Sequence, residues 1–147
     1  MKILAVDLGR ARTGLAICDE HEMLASPMGV ISEYNMERLA QTIAANATER
    51  AVGCVVVGLP RNMDGSEGES AQNARAFADN LKKLVNVPVE MRDERGTTIT
   101  AHGYLNITDT RGKKRKAVVD AVAATIILQD YLDYRRNQGS SQKEPGI

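Results

Sequence analysis

Three carboxylates stand where chemistry is possible. Asp7 closes the apolar run Ile3–Val6, Glu94 follows the short apolar segment Pro88–Met91, and Asp120 falls in the first turn of an almost wholly apolar stretch, Val118–Leu128. In open α/β sheets the ligand crevice lies beyond the carboxyl ends of the parallel strands, and Asp7, Gly58 and Glu94 each stand at such an end. Each acid alone has an ordinary explanation: Asp7 can pair with Arg10 or Arg12, Glu94 with Arg95, and Asp120 can complement the positive end of its helix. Together they repel one another unless cations lie between them. An oxygen-only ligand set suits Mg²⁺ or Mn²⁺, and paired ions about 4 Å apart are a standard arrangement for in-line attack on a phosphodiester. The chemistry that fits is metal-dependent phosphodiester hydrolysis, with Asp7, Glu94 and Asp120 as catalytic and metal-holding acids.

A polyanionic substrate needs cations to hold it. The stretch Thr110-Arg-Gly-Lys-Lys-Arg-Lys116 carries five positive charges in seven residues beside Asp120. It is expected to be a mobile loop that clamps phosphates through Lys113, Lys114, Arg115 and Lys116, with strong salt dependence. Arg12, Arg61, Asn62 and Arg95 extend that surface, and Gly9 and Gly14 are expected to let the backbone approach metal and substrate closely. With no tryptophan, one phenylalanine and four tyrosines mostly in apparent helices, no base-stacking platform is expected, so recognition should rest on backbone and shape. His21 and His102 lack ligand-like spacing and read as structural or surface residues. Cys18 and Cys54 are isolated and read as reduced, buried thiols rather than a disulfide or a zinc site.

The elements that must position these residues follow from periodicity. Strands are expected at Ile3–Val6, Gly14–Cys18 and Met23–Ile31, the last broken by Pro27 as suits an edge. Met36, Leu39, Ile43 and Ala47 recur at helical spacing within 35–50, and Cys54–Val57 makes a buried-strand run. A second helix carries Ala71, Ala74, Phe77, Ala78, Leu81 and Leu84 on one face, with Ser66-x-x-Glu69 resembling a capping box at its start. A strand at Pro88–Met91, a weaker helix at Thr97–Leu105 and a strong one at Ala117–Tyr134 complete the order. The expected fold is α/β: a five-stranded mixed sheet, three antiparallel strands extended by two parallel ones, with helices on both faces. Residues 1–136 read as the domain and 137–147, rich in Gly, Ser, Gln and Lys, as a disordered tail.

A length of 147 residues suits one domain. With 19 basic against 19 acidic residues, whole-molecule charge does not announce a polyanionic partner, so any such partner must be met by a local patch. The N-terminus lacks the pattern of a signal peptide and no apolar run approaches the roughly 18 residues of a membrane span, so a cytoplasmic protein is expected.

Four motifs in order, Asp7-Leu-Gly-Arg-Ala-Arg-Thr-Gly-Leu-Ala16, Val57-Gly-Leu-Pro-Arg-Asn-Met-Asp-Gly-Ser66, Asp93-Glu-Arg-Gly-Thr-Thr98 and Lys114-Arg-Lys-x-x-x-Asp-x-x-Ala-Ala124, resemble the YqgF/RuvX family over residues 2–134. These are RNase H-fold proteins described as Holliday junction resolvases and as pre-16S rRNA nucleases. The resemblance implies an RNase H-like α/β/α fold and an acidic trio of Asp7, the acid of the Asp-Glu-Arg motif, and Asp120. Within that motif Glu94 is preferred to Asp93; strand alternation forbids both from facing one side, so only one of them can serve. Two departures are Gly96, where a leucine is expected, and Ala11, where a lysine is usual. The first loosens the start of the following helix and the second removes a phosphate contact; neither touches the acids.

The functional expectation is processing of the 5′ end of precursor 16S rRNA, with structured RNA or branched DNA, and ribosomal particles, as partners of a monomer or weak homodimer. The alternatives are a Holliday junction resolvase and a non-catalytic nucleic-acid or ribosome binder. A nucleotide-binding module is a further rival, since Asp-x-Gly-x-x-x-x-Gly-x-Ala also resembles the phosphate loop of actin-like and sugar-kinase ATPases. Those enzymes close two such domains over ATP, which one domain cannot do.

Overall fold

Ile3, Leu4, Ala5 and Val6 are all fully buried, as a run without polar alternation must be when both faces of its strand are covered. In the computed structural model, which describes residues 1–62, 64–93 and 112–143, and the side chains among them except at 112–121 and 138–143, this run is β1, Ile3–Asp7. It lies at the centre of a five-stranded sheet of order β3-β2-β1-β4-β5. β2 (Arg12–Cys18) and β3 (Ala25–Ser32) continue one side in antiparallel pairing. On the other side lie the parallel strands β4 (Cys54–Leu59) and β5 (Val89–Asp93).

β3 is the expected edge, with Pro27 opposite Ala16 and a register shift at Leu15/Ala16 that discourages pairing with another chain. It starts at Ala25 rather than Met23. The Asp19 carboxylate accepts hydrogen bonds from the amides of His21, Met23 and Leu24 at 3.1, 2.9 and 3.0 Å and holds that stretch in a turn.

One face of the sheet is covered by α1 (Met36–Glu49) and α2 (Glu69–Leu84), and the other by α3 (Gly112–Lys143). Asn35 caps α1 by accepting from the Arg38 amide at 3.0 Å, and Leu39, Ala40, Ile43, Ala44 and Ala47 form its buried stripe. α2 buries Ala71, Ala74, Phe77, Ala78 and Leu81. The expected Ser66/Glu69 capping box does not form. Asp64 takes the Ser66 hydroxyl at 2.6 Å, and Gly68 stands at the cap with no side chain to offer.

The basic run Lys113–Lys116 is not a loop: α3 begins at Gly112, and the four residues are helical. Lysine and arginine are good helix formers, so a charge run reads alike in loop and helix. The helix also continues to Lys143, into the stretch expected to be a disordered tail. The helix expected at Thr97–Leu105 lies outside the described residues. Among the described residues no helix is long and apolar enough to cross a membrane.

Candidate active site

Asp7 ends the central strand, partly buried. Alternation along β1 turns Leu4 and Val6 toward α1 and α2, and Ile3, Ala5 and Asp7 toward α3. Gly14 stands directly opposite Asp7 on β2, and on β4 the pair following Val6↔Val57 brings Gly58 alongside it. Cross-strand neighbours ordinarily place their Cβ atoms about 5 Å apart. Here both neighbours lack one, so neither sets a side chain beside the carboxylate. Sequence alone marks Gly58 as standing at a strand end; its place beside Asp7 comes from the register of the sheet.

Gly9 serves the turn itself. A Cβ there would lie 2.0 Å from the Arg12 carbonyl oxygen, and the Gly9 amide points at the hydroxyl of fully buried Thr13, 3.5 Å away. Its missing side chain is required by this internal packing, a cause separate from the expected approach to metal and substrate. Arg12 is in phase with Gly14 and Ala16 and so lies on the Asp7 face of the sheet.

On β5, Gly58 pairs with Arg92 and Leu59 with Asp93. Arg92 donates to Asp130 of α3 at 2.8 Å and lies 4.7 Å from the centre of the Tyr134 ring, while Tyr131 donates to Glu90. Glu90 and Arg92 thus belong to the α3 side. Asp93 shares the opposite side with Leu59, where Arg61 approaches it to 4.0 Å. Asp93 is therefore out of phase with Asp7. Glu94 and Arg95 lie outside the described residues.

α3 packs on the face toward which β1 turns Asp7. Arg135 donates to Glu22 at 2.6 Å near the amino end of β1, so α3 runs antiparallel to that strand. Gln129 accepts from the Ala25 amide at 3.1 Å, and Ala25 pairs with Cys18, which stands level with Ile3. From Ile3 to Asp7 the strand covers about 13 Å, which α3 matches in about nine residues. That brings the turn containing Asp120 to the level of Asp7. Asp120 also precedes Ala124 and Ile127 by four and seven residues, in phase with the buried stripe of α3. The side chains of Asp120, Lys113, Lys114, Arg115 and Lys116 are not among those described. Among the described residues no three His, Cys, Asp or Glu side chains form a metal cluster.

The structure gives Arg61 and Asn62 internal roles. Arg61 lies 3.4 Å from Glu67, and Asn62 donates to the Ser66 hydroxyl at 2.9 Å and closes the loop before α2. Cys18 and Cys54 are free and buried. Burial pushes the Cys54 thiol up to about 11 and raises Cys18, so neither supplies a thiolate near neutral pH.

On the α1 and α2 side of the same sheet end opens a cleft of about 320 Å³, reached from Asp7 through Leu8 and Gly9. Sequence reasoning missed it, because its walls come from the β1–β2 turn, the β3–α1 loop and the start of α2.

A family model described as RuvX, Holliday junction resolvase, matches residues 1–134. A relative from Anaeromyxobacter sp., named "Putative pre-16S rRNA nuclease", is 47% identical over 92% of this chain and 98% of its own. One of the same name from Chloroflexus aurantiacus is 43% identical over 97% of this chain and 93% of its own. Among solved structures, Thermus thermophilus RuvC in complex with a Holliday junction substrate matches with a TM-score of 0.57 at 14% identity, over 92% of this chain and 96% of that one. The fowlpox virus Holliday junction resolvase matches at 0.54 and 15%, over 91% and 99%. These two likenesses show the RNase H-like fold.

Proposed function

The chain belongs to the RuvX family of nucleases, and we propose that it hydrolyses phosphodiesters with the help of Mg²⁺ or Mn²⁺ held by Asp7, Glu94 and Asp120. The observation that carries this reading is the carboxylate of Asp7 at the end of the central strand, flanked by Gly14 and Gly58, on the face of the sheet that α3 covers; the rise of the helix puts the turn of Asp120 at about the same level. The phase of β5 supports Glu94 as the second acid, since Glu90 and Arg92 face α3 and Asp93 does not. The donor set fits the ion: carboxylate oxygens suit hard divalent cations, and neither Gly14 nor Gly58 sets a side chain beside Asp7. Such an ion, when bound, supplies activation of water and neutralisation of charge at the leaving oxygen. The chain's own residues do the rest. Arg12, in phase with Asp7, holds the scissile strand's phosphate, and the helical basic run at the start of α3 gathers the backbone on either side.

The substrate we favour is precursor 16S rRNA, which the relatives' names give, cut in its 5′ region. The test is cleavage by the purified chain with Mn²⁺ of structured RNA bearing a 5′ extension, a four-way DNA junction and linear duplex, beside Asp7→Asn. The RNA should be cut fastest and the variant should be silent. Faster cutting of the junction would move the assignment to branched DNA, and cutting of none would remove the nuclease reading.

A further inference from the structure

The cleft behind Asp7 has the makings of a nucleotide site, an inference that rests on the nuclease reading and specifies its substrate. Its volume of about 320 Å³ is at the small end of ligand pockets and suits a group the size of one nucleoside. Its walls combine a cation, an aromatic ring and small polar groups: Arg10, Tyr34, Glu69, Ser70 and Asn73, with Leu8 and Met36 as the apolar part. Tyr34 is 76% exposed. A ring left in water gains nothing for the fold, yet the backbone on both sides of it is held. The Glu33 amide donates to the Ala11 carbonyl at 3.1 Å, and the Asn35 amide donates to the Glu33 carboxylate at 3.2 Å while its side chain caps α1. Two fixed neighbours therefore present one exposed aromatic at the rim of a cleft, on an otherwise aromatic-poor chain.

The cleft lies at the same sheet end as the acid, on the opposite face. Leu8, Gly9 and Arg10 follow Asp7 directly, so its near wall lies within about 11 Å of Asp7 by chain reach alone. We propose that this cleft receives a single unpaired nucleotide next to the scissile phosphate. The strand crosses the carboxyl end of β1, its base stacks on Tyr34, Ser70, Asn73 and Glu69 meet the base edge, and Arg10 meets the adjoining phosphate. A base held in a duplex cannot enter such a cleft without leaving its stack. The substrate is therefore single-stranded at this position. The sequence-based expectation of no stacking platform is revised accordingly: one ring suffices for one base.

The test uses the full-length Asp7→Asn chain as a non-cleaving background. Binding of a short single-stranded RNA and of a blunt RNA duplex is followed by anisotropy, with 2-aminopurine placed at successive positions of the single strand. Adding Tyr34→Ala should weaken the single strand about tenfold or more, the range for loss of one base–aromatic stack. It should leave the duplex within about twofold and abolish a position-specific quenching of 2-aminopurine, while Tyr34→Phe retains all three. An unchanged melting temperature for Tyr34→Ala confirms that the fold is not what changed. Single strand and duplex weakened alike, or neither weakened, overturns the proposal. A parent chain that cleaves while Tyr34→Ala binds single strand normally removes the nucleotide cleft and leaves the nuclease. A parent that cleaves nothing while binding still depends on Tyr34 removes the nuclease and leaves the cleft.

Discussion

Asp7 and Gly9 stand two residues apart and are constrained by different things. Asp7→Asn keeps the shape and volume of the side chain and removes its charge. If three acids share the crevice, removing one charge relieves a repulsion of about 1 kcal/mol. The apo variant should then melt at or above the parent's temperature. In Mn²⁺ it should lose both the cation's stabilisation and cleavage, the latter by a factor of hundreds or more. A variant that is destabilised yet active would place Asp7 in a structural ion pair instead. Gly9→Ala works through packing. Its Cβ would sit 2.0 Å from the Arg12 carbonyl oxygen, so the β1–β2 turn must shift, at about 1–3 kcal/mol. Urea unfolding should show a lower midpoint at unchanged slope, and a midpoint equal to the parent's would show that the turn yields freely.

At the scale of elements, α3 is fastened by its carboxyl half and so aims its amino half. Arg135 pairs with Glu22 at 2.6 Å and Arg92 with Asp130 at 2.8 Å, on either side of the buried stripe through Tyr131. Burial pushes the Glu22 carboxyl up, but the hydrogen bonds from Arg135 and the N-terminal amine outweigh it and hold it below the ordinary 4.5. A carboxyl whose folded pKa is depressed contributes stability that is present above its unfolded value and lost as pH falls through the folded one. Glu22→Gln should therefore lower the melting temperature at pH 7 by a few degrees, for about 1 kcal/mol in a partly exposed pair. The difference from the parent should shrink when melts are repeated below pH 4.5, and a gap independent of pH would mean that packing rather than charge is lost. These pairs were not legible in the sequence, since their partners lie 38 and 113 residues apart. The strands and α1 were legible because burial on both faces, or on every third and fourth residue, leaves a periodic trace. Ser66 misled because its hydroxyl had a nearer partner in Asp64 than the amides of α2. Asp7 could be read from the sequence as a carboxylate at a strand end, whereas the Tyr34 cleft could not, because it exists only where three distant segments meet.

The whole molecule is neutral, with 19 charges of each sign, yet Lys113–Lys116 put four positive ones at the amino end of α3, and Arg111 precedes them in sequence. That is the wrong end for cations. The helix macrodipole is positive there, so each lysine or arginine in the first turn costs the helix about 0.3–1 kcal/mol at low salt rather than supporting it. Two fields of the same sign then add, and a phosphate backbone arriving near Asp7 would be attracted by both the side chains and the helix end. A run that opposes its own helix is better explained by a ligand than by stability. Replacing Lys113, Lys114, Arg115 and Lys116 with alanine should therefore separate the two roles. Far-UV circular dichroism should show helix content unchanged or slightly higher, because alanine is the better helix former and the unfavourable charges are gone. Binding should weaken by a similar factor for every RNA or DNA sequence tried. The slope of log affinity against log salt should fall by about 0.7 for each phosphate that a single strand no longer has neutralised, or about 0.9 for each on a duplex. A salt slope equal to the parent's would show that these four residues touch no phosphate. A loss of helix together with a preserved slope would return the run to a purely structural role.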